Sequence, residues 1–378
     1  MNHLKNLIRL LCVLLLLGSA CQSISDTAVN PRDEFIQEGS YSGVYWPTAG
    51  WRSCSPESVG MDSERLKQVY DYVANPAVNS EGIVIVKDGY LVAEAYFGSF
   101  NRNQRHASYS IAKSFISSLI GIAINRGDIE NVDQPVHRFF DAWQDESVDG
   151  RKKRITIRHL LTMSSGLEWN ESDYYNDTSQ NDVYIMGGMN DFIDYVLQKN
   201  SQYEPGTVWR YSSGDSMLLS GILQEATGIT AHQYALTHLL NPIGLQNISW
   251  QHDPSGHTVG GWGIDATVRE YAKFGFLYLN GGEWDGVQLL SRDWIRDSWT
   301  PVTDRIDHYG YQWWLGPALS GFEGSGLPER IYIAWGIYTQ QIFVVPDHQL
   351  LIVRVANDPG SGHWHEVSFL QRVMAAVL

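Results

Sequence analysis

The sequence predicts a mixed α/β fold: an antiparallel sheet assembled from both ends of the chain, flanked by helices and interrupted by a mostly helical insertion. Three observations carry this. "GIVIVKDGYLVAEAYFG", beginning at Gly82, is two β-rich runs joined at Lys87-Asp-Gly89, a tight-turn sequence. "QQIFVVP" (340–346) and "LLIVRVAN" (350–357) form a second pair, joined by Asp347-His-Gln. Between the two pairs, from Ser110 onward, the signals are helical and loop-like.

In chain order, Lys5 and Arg9 precede the apolar run 10–17 and then Gly18-Ser-Ala-Cys21. A basic head, a short apolar stretch and small residues make a secretory signal. The run is far shorter than the roughly 20 residues that span a bilayer. Residues 1–21 are therefore expected to be a signal peptide, and the polar, Gly/Ser/Pro-spotted segment 22–50 a tether. Leu66, Val69, Tyr70 and Val73 share one side of a helix over 63–74. "ITIRHLLTM" (155–163) reads as a short amphipathic helix ended by Ser164-Ser-Gly166, and the Asn/Asp/Tyr/Gly-rich stretch 168–190 as a long loop near a cleft. Helices are expected over 215–227 with Gly228 as the stop, over 231–240, over 266–279 and over 363–377. The α/β part then spans approximately 51–105 and 255–378, and the helical part approximately 106–254.

The 378 residues, 43% hydrophobic with 14 Trp, suffice for a sizeable core in one large domain or two interleaved ones. A net charge of -15 argues against nucleic acid, because phosphate binding needs basic patches. Of three cysteines, Cys12 leaves with the signal, and Cys54 lies in "RSCSPESVG", with no nearby His or Lys to form a thiolate.

Three short stretches carry chemistry. In "SYSIAKS" (108–114), Ser110 and Lys113 stand at i and i+3, on one helix face. If Ser110 begins the helix, the dipole favours a developing alkoxide there. Lys113 can take the serine proton if burial lowers it from about 10.4. The alternative is an exposed lysine and a serine that merely caps. In "EPGTVWRYSS" (204–213), Tyr211 can lend a phenolate if neighbouring cations depress it from about 10, or can be a packed ring. In "AWGIYTQ" (334–340), Gly336 would let the N–H of Ile337 approach a substrate oxygen, or mark an ordinary strand entrance.

"SYSIAKSF…GIAINRGDI", "ITIRHLLTMSSGL", "EPGTVWRYSSGDSMLLSGILQEATG", "PIGL" and "FVVPDHQLLIVRVAND" occur in the order found in serine hydrolases resembling class C β-lactamases. The resemblance covers roughly residues 55–378, and the tail from Gly336 looks most like the aminohexanoate-dimer (nylon-oligomer) hydrolase and esterase branch. It implies a β-lactamase-like (DD-peptidase) fold. It implies Ser110 as the acylated nucleophile, Lys113 and Tyr211 as its proton-transfer partners, and the N–H groups of Ser110 and Ile337 as the oxyanion hole. It also implies places near the cleft for Ser213, the third residue of the second motif, for Tyr338 beside Ile337, and for His363 of a shared His-Trp-His. Trp169, Tyr174 and Tyr175 of the 168–190 loop are further candidates to line the cleft, with plain loop packing as the alternative. His159 reads as structural.

Departures narrow the substrate. Penicillin-recognising relatives carry Tyr-x-Asn, where Ser213 stands here, and a Lys-Thr-Gly or His-Thr-Gly before the final strand; between Gly316 and Gln341 only Arg330 is basic. The Glu-x-x-x-Asn element of class A enzymes is missing as well, so the groups that activate Ser110 would also have to activate water. His363 and His365 lack further His or Cys partners, so no metal is expected, and no cofactor. Cys21 after "GSA" resembles a lipobox cysteine, though Leu17 lies one place further back than usual. The expectation is an exported, lipid-anchored esterase or amidase acting on a small ester, amide or short peptide. A D-amino-acid peptidase or weak β-lactamase acting on cell-wall peptides is the first rival, and a non-catalytic envelope binding protein the second.

Overall fold

The computed structural model describes residues 30–174, 177–303, 306–360 and 362–378. The predicted signal, Cys21 and Tyr175 lie outside the described residues.

One six-stranded antiparallel sheet organises the chain. Its order is Tyr90–Tyr96, Ser80–Lys87, Leu350–Ala356, Gln340–Val345, Tyr332–Gly336 and Trp314–Leu315. Strands from near both ends therefore sit side by side at its centre. In the first hairpin Lys87 pairs with Tyr90. Asp88 and Gly89 alone turn the chain, with φ of 50° and 85°, the doubly left-handed turn that matches strand twist.

Alternation along these strands divides the core. Ile83, Ile85, Phe343, Val345, Leu350 and Ile352 pack with the helices Ser63–Val73 and Glu366–Ala375. Val84, Val86, Ile342, Val344, Leu351 and Val353 face the helices Ile111–Arg126 and Val268–Leu279. Covering both faces explains why the strands read as nearly continuous apolar runs. The helix Ile111–Arg126 is buried along most of its length, and Phe115 stacks on Phe274 with centroids 3.7 Å apart. Left-handed Gly127 and Gly228 stop this helix and the helix Ser213–Thr227.

Three details differ from the sequence reading. The expected helix over 231–240 is α-helical only through Ala235 and continues as a π turn, Leu236–Leu240. The 168–190 loop contains a short helix, Asp182–Gly187, capped by Asn181. Residues 30–50 pack on the domain instead of hanging as a tether. Phe35 is buried, Ile36 bridges to Ala93, and the Tyr90 hydroxyl donates to the Gly43 carbonyl at 2.7 Å. These contacts cover the outer strand Tyr90–Tyr96, whose edge would otherwise offer unpaired N–H and C=O groups. Among the described residues no helix is long and apolar enough to cross a membrane.

Candidate active site

Ser110 stands at the head of the helix Ile111–Arg126, and its hydroxyl makes no capping hydrogen bond. It is therefore free for other partners. Lys113, one turn on, is only 1% exposed, which removes the reading of a solvated lysine. Its Nζ donates to Ser110 Oγ at 2.9 Å, to Ser213 Oγ at 2.8 Å and to the Gly261 carbonyl at 2.8 Å. Burial pulls Lys113 down to about 8, with the charge of Glu171 opposing.

Tyr211 arrives on the turn before the helix Ser213–Thr227. The nearby Ser110 hydroxyl favours the ionised phenol, an effect smaller than that of burial. The Tyr211 ring stacks on Trp314 at 5.6 Å and meets Tyr309 edge-on at 6.3 Å, so its orientation is fixed. The expected phenolate is not supported: burial, and then Glu171, push the hydroxyl above its ordinary range. The neighbouring cation does not reverse this, because Lys113 Nζ lies over the ring face, 4.9 Å from its centroid. Tyr211 is a neutral phenol that can pass a proton on.

Glu171 is the functional candidate that sequence reasoning missed. It accepts hydrogen bonds from the Ser213 N–H at 2.6 Å, Ser213 Oγ at 2.7 Å and Trp169 Nε1 at 2.7 Å, and from the Tyr174 hydroxyl. A continuous hydrogen-bonded chain results, Glu171, Ser213, Lys113 and Ser110, with the Tyr211 ring against Lys113. Ser213, where relatives carry Asn, accepts from the lysine and donates to the carboxylate. The only sequence signal for Glu171 was an acid between two aromatics in the predicted cleft loop.

The expected oxyanion donors sit at two tight turns. The first N–H groups of a helix have no intrahelical acceptor, and Ser110 and Ile337 each stand at such a position. Ile337 opens the 3₁₀ turn Ile337–Thr339. Tyr109 has φ 46°, and Tyr338 and Thr339 have φ of 61° and 63°. The turns touch at Gly336, where an added Cβ would lie 2.3 Å from the Ser108 carbonyl oxygen.

A cavity of about 210 Å³ opens over this point, lined by Tyr109, Ser110, Glu171, Tyr174, Val183, Tyr184, Ser213, Trp262, Ile337 and Tyr338. Five predicted residues thus meet here, with Lys113 and Tyr211 beneath. Two predicted lining residues are corrected. Trp169 lies behind Glu171 at 2% exposure, its ring against Gly214. His363 is exposed, and its carbonyl accepts from the Tyr72 hydroxyl at 3.3 Å; the Trp364 side chain turns inward over Arg354 and leaves its neighbours outward. His159 serves the fold, since its Nδ1 accepts the Thr156 N–H at 3.1 Å. Among the described residues no lysine or arginine lines the cavity, and Arg330 pairs with Asp347 elsewhere.

Comparisons with known proteins bear on the family and the fold. The 6-aminohexanoate-dimer hydrolase of Paenarthrobacter ureafaciens is 23% identical over 310 residues, covering 76% of this chain and 75% of that protein. Esterase EstB of Burkholderia gladioli is 26% identical over 149 residues, 36% of each chain. A solved structure from Bacillus anthracis, provisionally named a 6-aminohexanoate-dimer hydrolase, shares the fold with TM-score 0.69 at 20% identity, covering 91% of this chain and 90% of that one. The sequence profile of the family described as Beta-lactamase matches residues 71–372, and with a serine hydrogen-bonded to a buried lysine that lies over a tyrosine ring, this protein belongs to that family of serine hydrolases.

Proposed function

We propose that the protein is an exported serine hydrolase that cleaves a neutral ester or amide through an acyl-enzyme on Ser110. Ser110 Oγ attacks the carbonyl carbon while its proton passes to neutral Lys113, and the carbonyl electron pair moves onto oxygen between the N–H groups of Ser110 and Ile337. Collapse of this intermediate breaks the bond to the leaving alcohol or amine, which takes the proton through the Tyr211 phenol. Water then repeats the sequence on the acyl-enzyme and frees the acid.

The observation that carries this reading is the buried Lys113 amine nitrogen, 2.9 Å from Ser110 Oγ and held well below an ordinary lysine. Substrate neutrality is supported by the cavity lining, which among the described residues contains a carboxylate and no cation. A penicillin or a D-alanyl terminus would bring its own carboxylate there unpaired. The named activities of the Paenarthrobacter and Burkholderia relatives support cleavage of an amide or an ester and do not bear on substrate charge.

The test is a hydrolysis panel run beside Ser110→Ala: short and long nitrophenyl esters, a linear amide dimer, D-alanyl peptides and a chromogenic cephalosporin. Turnover of the esters or the amide dimer, abolished in a folded Ser110→Ala, is expected. Retained turnover in that variant overturns the mechanism, and preference for D-alanyl peptides overturns the substrate class. A wild-type serine inert to fluorophosphonate would revive a binding protein. Export and anchoring rest on the basic head, the apolar run and Cys21. Cys21→Ser should release the protein from the membrane fraction, and unchanged fractionation refutes the anchor.

A further inference from the structure

Arg354 is a second buried cation close to the active site, and the catalytic scheme does not use it. It lies on the strand Leu350–Ala356 with no exposed surface. A guanidinium removed from water is costly unless its donors are satisfied. Here they are spent on oxygens of neutral groups. Nε donates to Ser80 Oγ at 3.1 Å, Nη2 to the Val78 carbonyl at 2.7 Å, and Nη1 to the Thr339 carbonyl at 3.1 Å and to Thr339 Oγ1. The Trp364 ring covers the guanidinium at 3.8 Å.

Thr339 ends the left-handed turn that begins at Ile337. The other two carbonyls of that turn are held by the first residue of the strand that follows it, Gln340–Val345. Gln340, also fully buried, donates through Nε2 to the Ile337 carbonyl at 3.3 Å and the Tyr338 carbonyl at 3.2 Å. Its own orientation is fixed by the Ala356 backbone, which accepts from Nε2 at 2.6 Å and donates to Oε1 at 2.9 Å. Three successive carbonyls of one strained turn are thus anchored by two buried side chains, while Ile337 and Tyr338 line the cavity. Left-handed non-glycine residues persist only where their surroundings over-determine them.

We infer that Arg354, assisted by Gln340, is a positioning residue: it clamps the Ile337–Thr339 turn so that the Ile337 N–H is aimed at the oxyanion before reaction begins. This rests on the proposed role of Ile337 and extends it to a residue that touches neither substrate nor nucleophile. A preorganised donor acts on the transition state more than on the bound ester, so the effect belongs in kcat.

The test compares Arg354→Met, which keeps most of the apolar stem and removes every donor, with Thr339→Ala, which removes one acceptor of the clamp at a half-buried site. Both are run beside wild type and Ser110→Ala on the best ester of the panel, with competent sites counted by fluorophosphonate titration. Expected are a kcat per site lowered roughly tenfold or more in Arg354→Met and several-fold in Thr339→Ala, with KM nearly unchanged. The infrared stretch of the acyl-enzyme carbonyl should move toward that of the free ester, a change that a purely structural arginine would not produce. Folded variants with wild-type kcat and an unmoved carbonyl stretch overturn the inference, and leave the serine mechanism standing if Ser110→Ala is dead. If Arg354→Met does not fold, Thr339→Ala decides alone. An active Ser110→Ala would instead remove the mechanism itself.

Discussion

Tyr109 and Tyr338 face each other across the cleft with ring centroids 5.2 Å apart, and both hold a left-handed backbone, at φ 46° and 61°. One precedes the nucleophile and the other follows Ile337. The two expected oxyanion donors therefore each border a residue in a conformation that L-amino acids rarely adopt. The paired rings make the contact between the turns and part of the cavity wall.

Gly336 sets how closely these turns approach. Its φ of -114° is one any residue adopts, so the demand is for space: a Cβ would lie 2.3 Å from the Ser108 carbonyl oxygen and 3.1 Å from Tyr109 Cβ. Gly336→Ala should push the Ile337 turn away from Ser110. The expected result is a kcat loss of about tenfold or more with a stability cost of about 1–3 kcal/mol. Enzyme assays with denaturant unfolding check it, and an alanine variant with wild-type kcat would show that the close approach has no role in the reaction.

The strain at Tyr338 can be separated from its ring. Tyr338→Gly and Tyr338→Ala both remove the aromatic wall, and both should raise KM for a long acyl ester. Only glycine accepts φ 61° without penalty, so the glycine variant should be the more stable of the two by about 1 kcal/mol. Urea midpoints for the pair measure this. Equal midpoints would mean the turn relaxes once the ring is gone.

Lys113 sets the pH dependence. It accepts the serine proton only when neutral, and burial brings it to about 8. The kcat/KM of wild type should therefore rise with pH and level off above about 8. Glu171 acts against burial by favouring the charged lysine. Glu171→Gln should then move the rising limb to lower pH, although it also weakens the support of Ser213 and Trp169 and costs some maximal rate. A limb that stays in place or moves upward would assign it to another group.

The pairing of Ser110 with Lys113 was legible because one helical turn joins them, and the central strands because β-rich apolar runs were joined by short turn sequences. Other features depended on contacts that no local pattern encodes. Glu171 is tied to the catalytic lysine through Ser213, 42 residues away. The strand Trp314–Leu315 is two residues long and exists because Tyr332 and Ile333 pair with it. The segment 30–50 looked like a linker because few anchors, Phe35 and Ile36 among them, hold a polar stretch in place. His363 was expected near the cleft from the shared His-Trp-His, but the inward turn of Trp364 sends the histidine to solvent.

Asp215, on the first turn of the helix Ser213–Thr227, is 1% exposed, and burial pushes its carboxyl up to about 8 from an ordinary 3.8. Folded protein thus keeps a proton that the unfolded chain releases near 3.8. Between those values the folded state binds more protons, so stability falls as pH rises, by at most about 1.4 kcal/mol per pH unit from this group. Asparagine has nearly the same shape and no charge to bury. The stability of wild type relative to Asp215→Asn should therefore decline steadily from about pH 5 to about pH 8, whatever the other titrating groups contribute to both. Urea unfolding of the two proteins across that range measures the difference directly. A difference that is flat with pH, or that grows in favour of wild type, would show that the aspartate is ionised in the fold and that an unrecognised partner meets its charge.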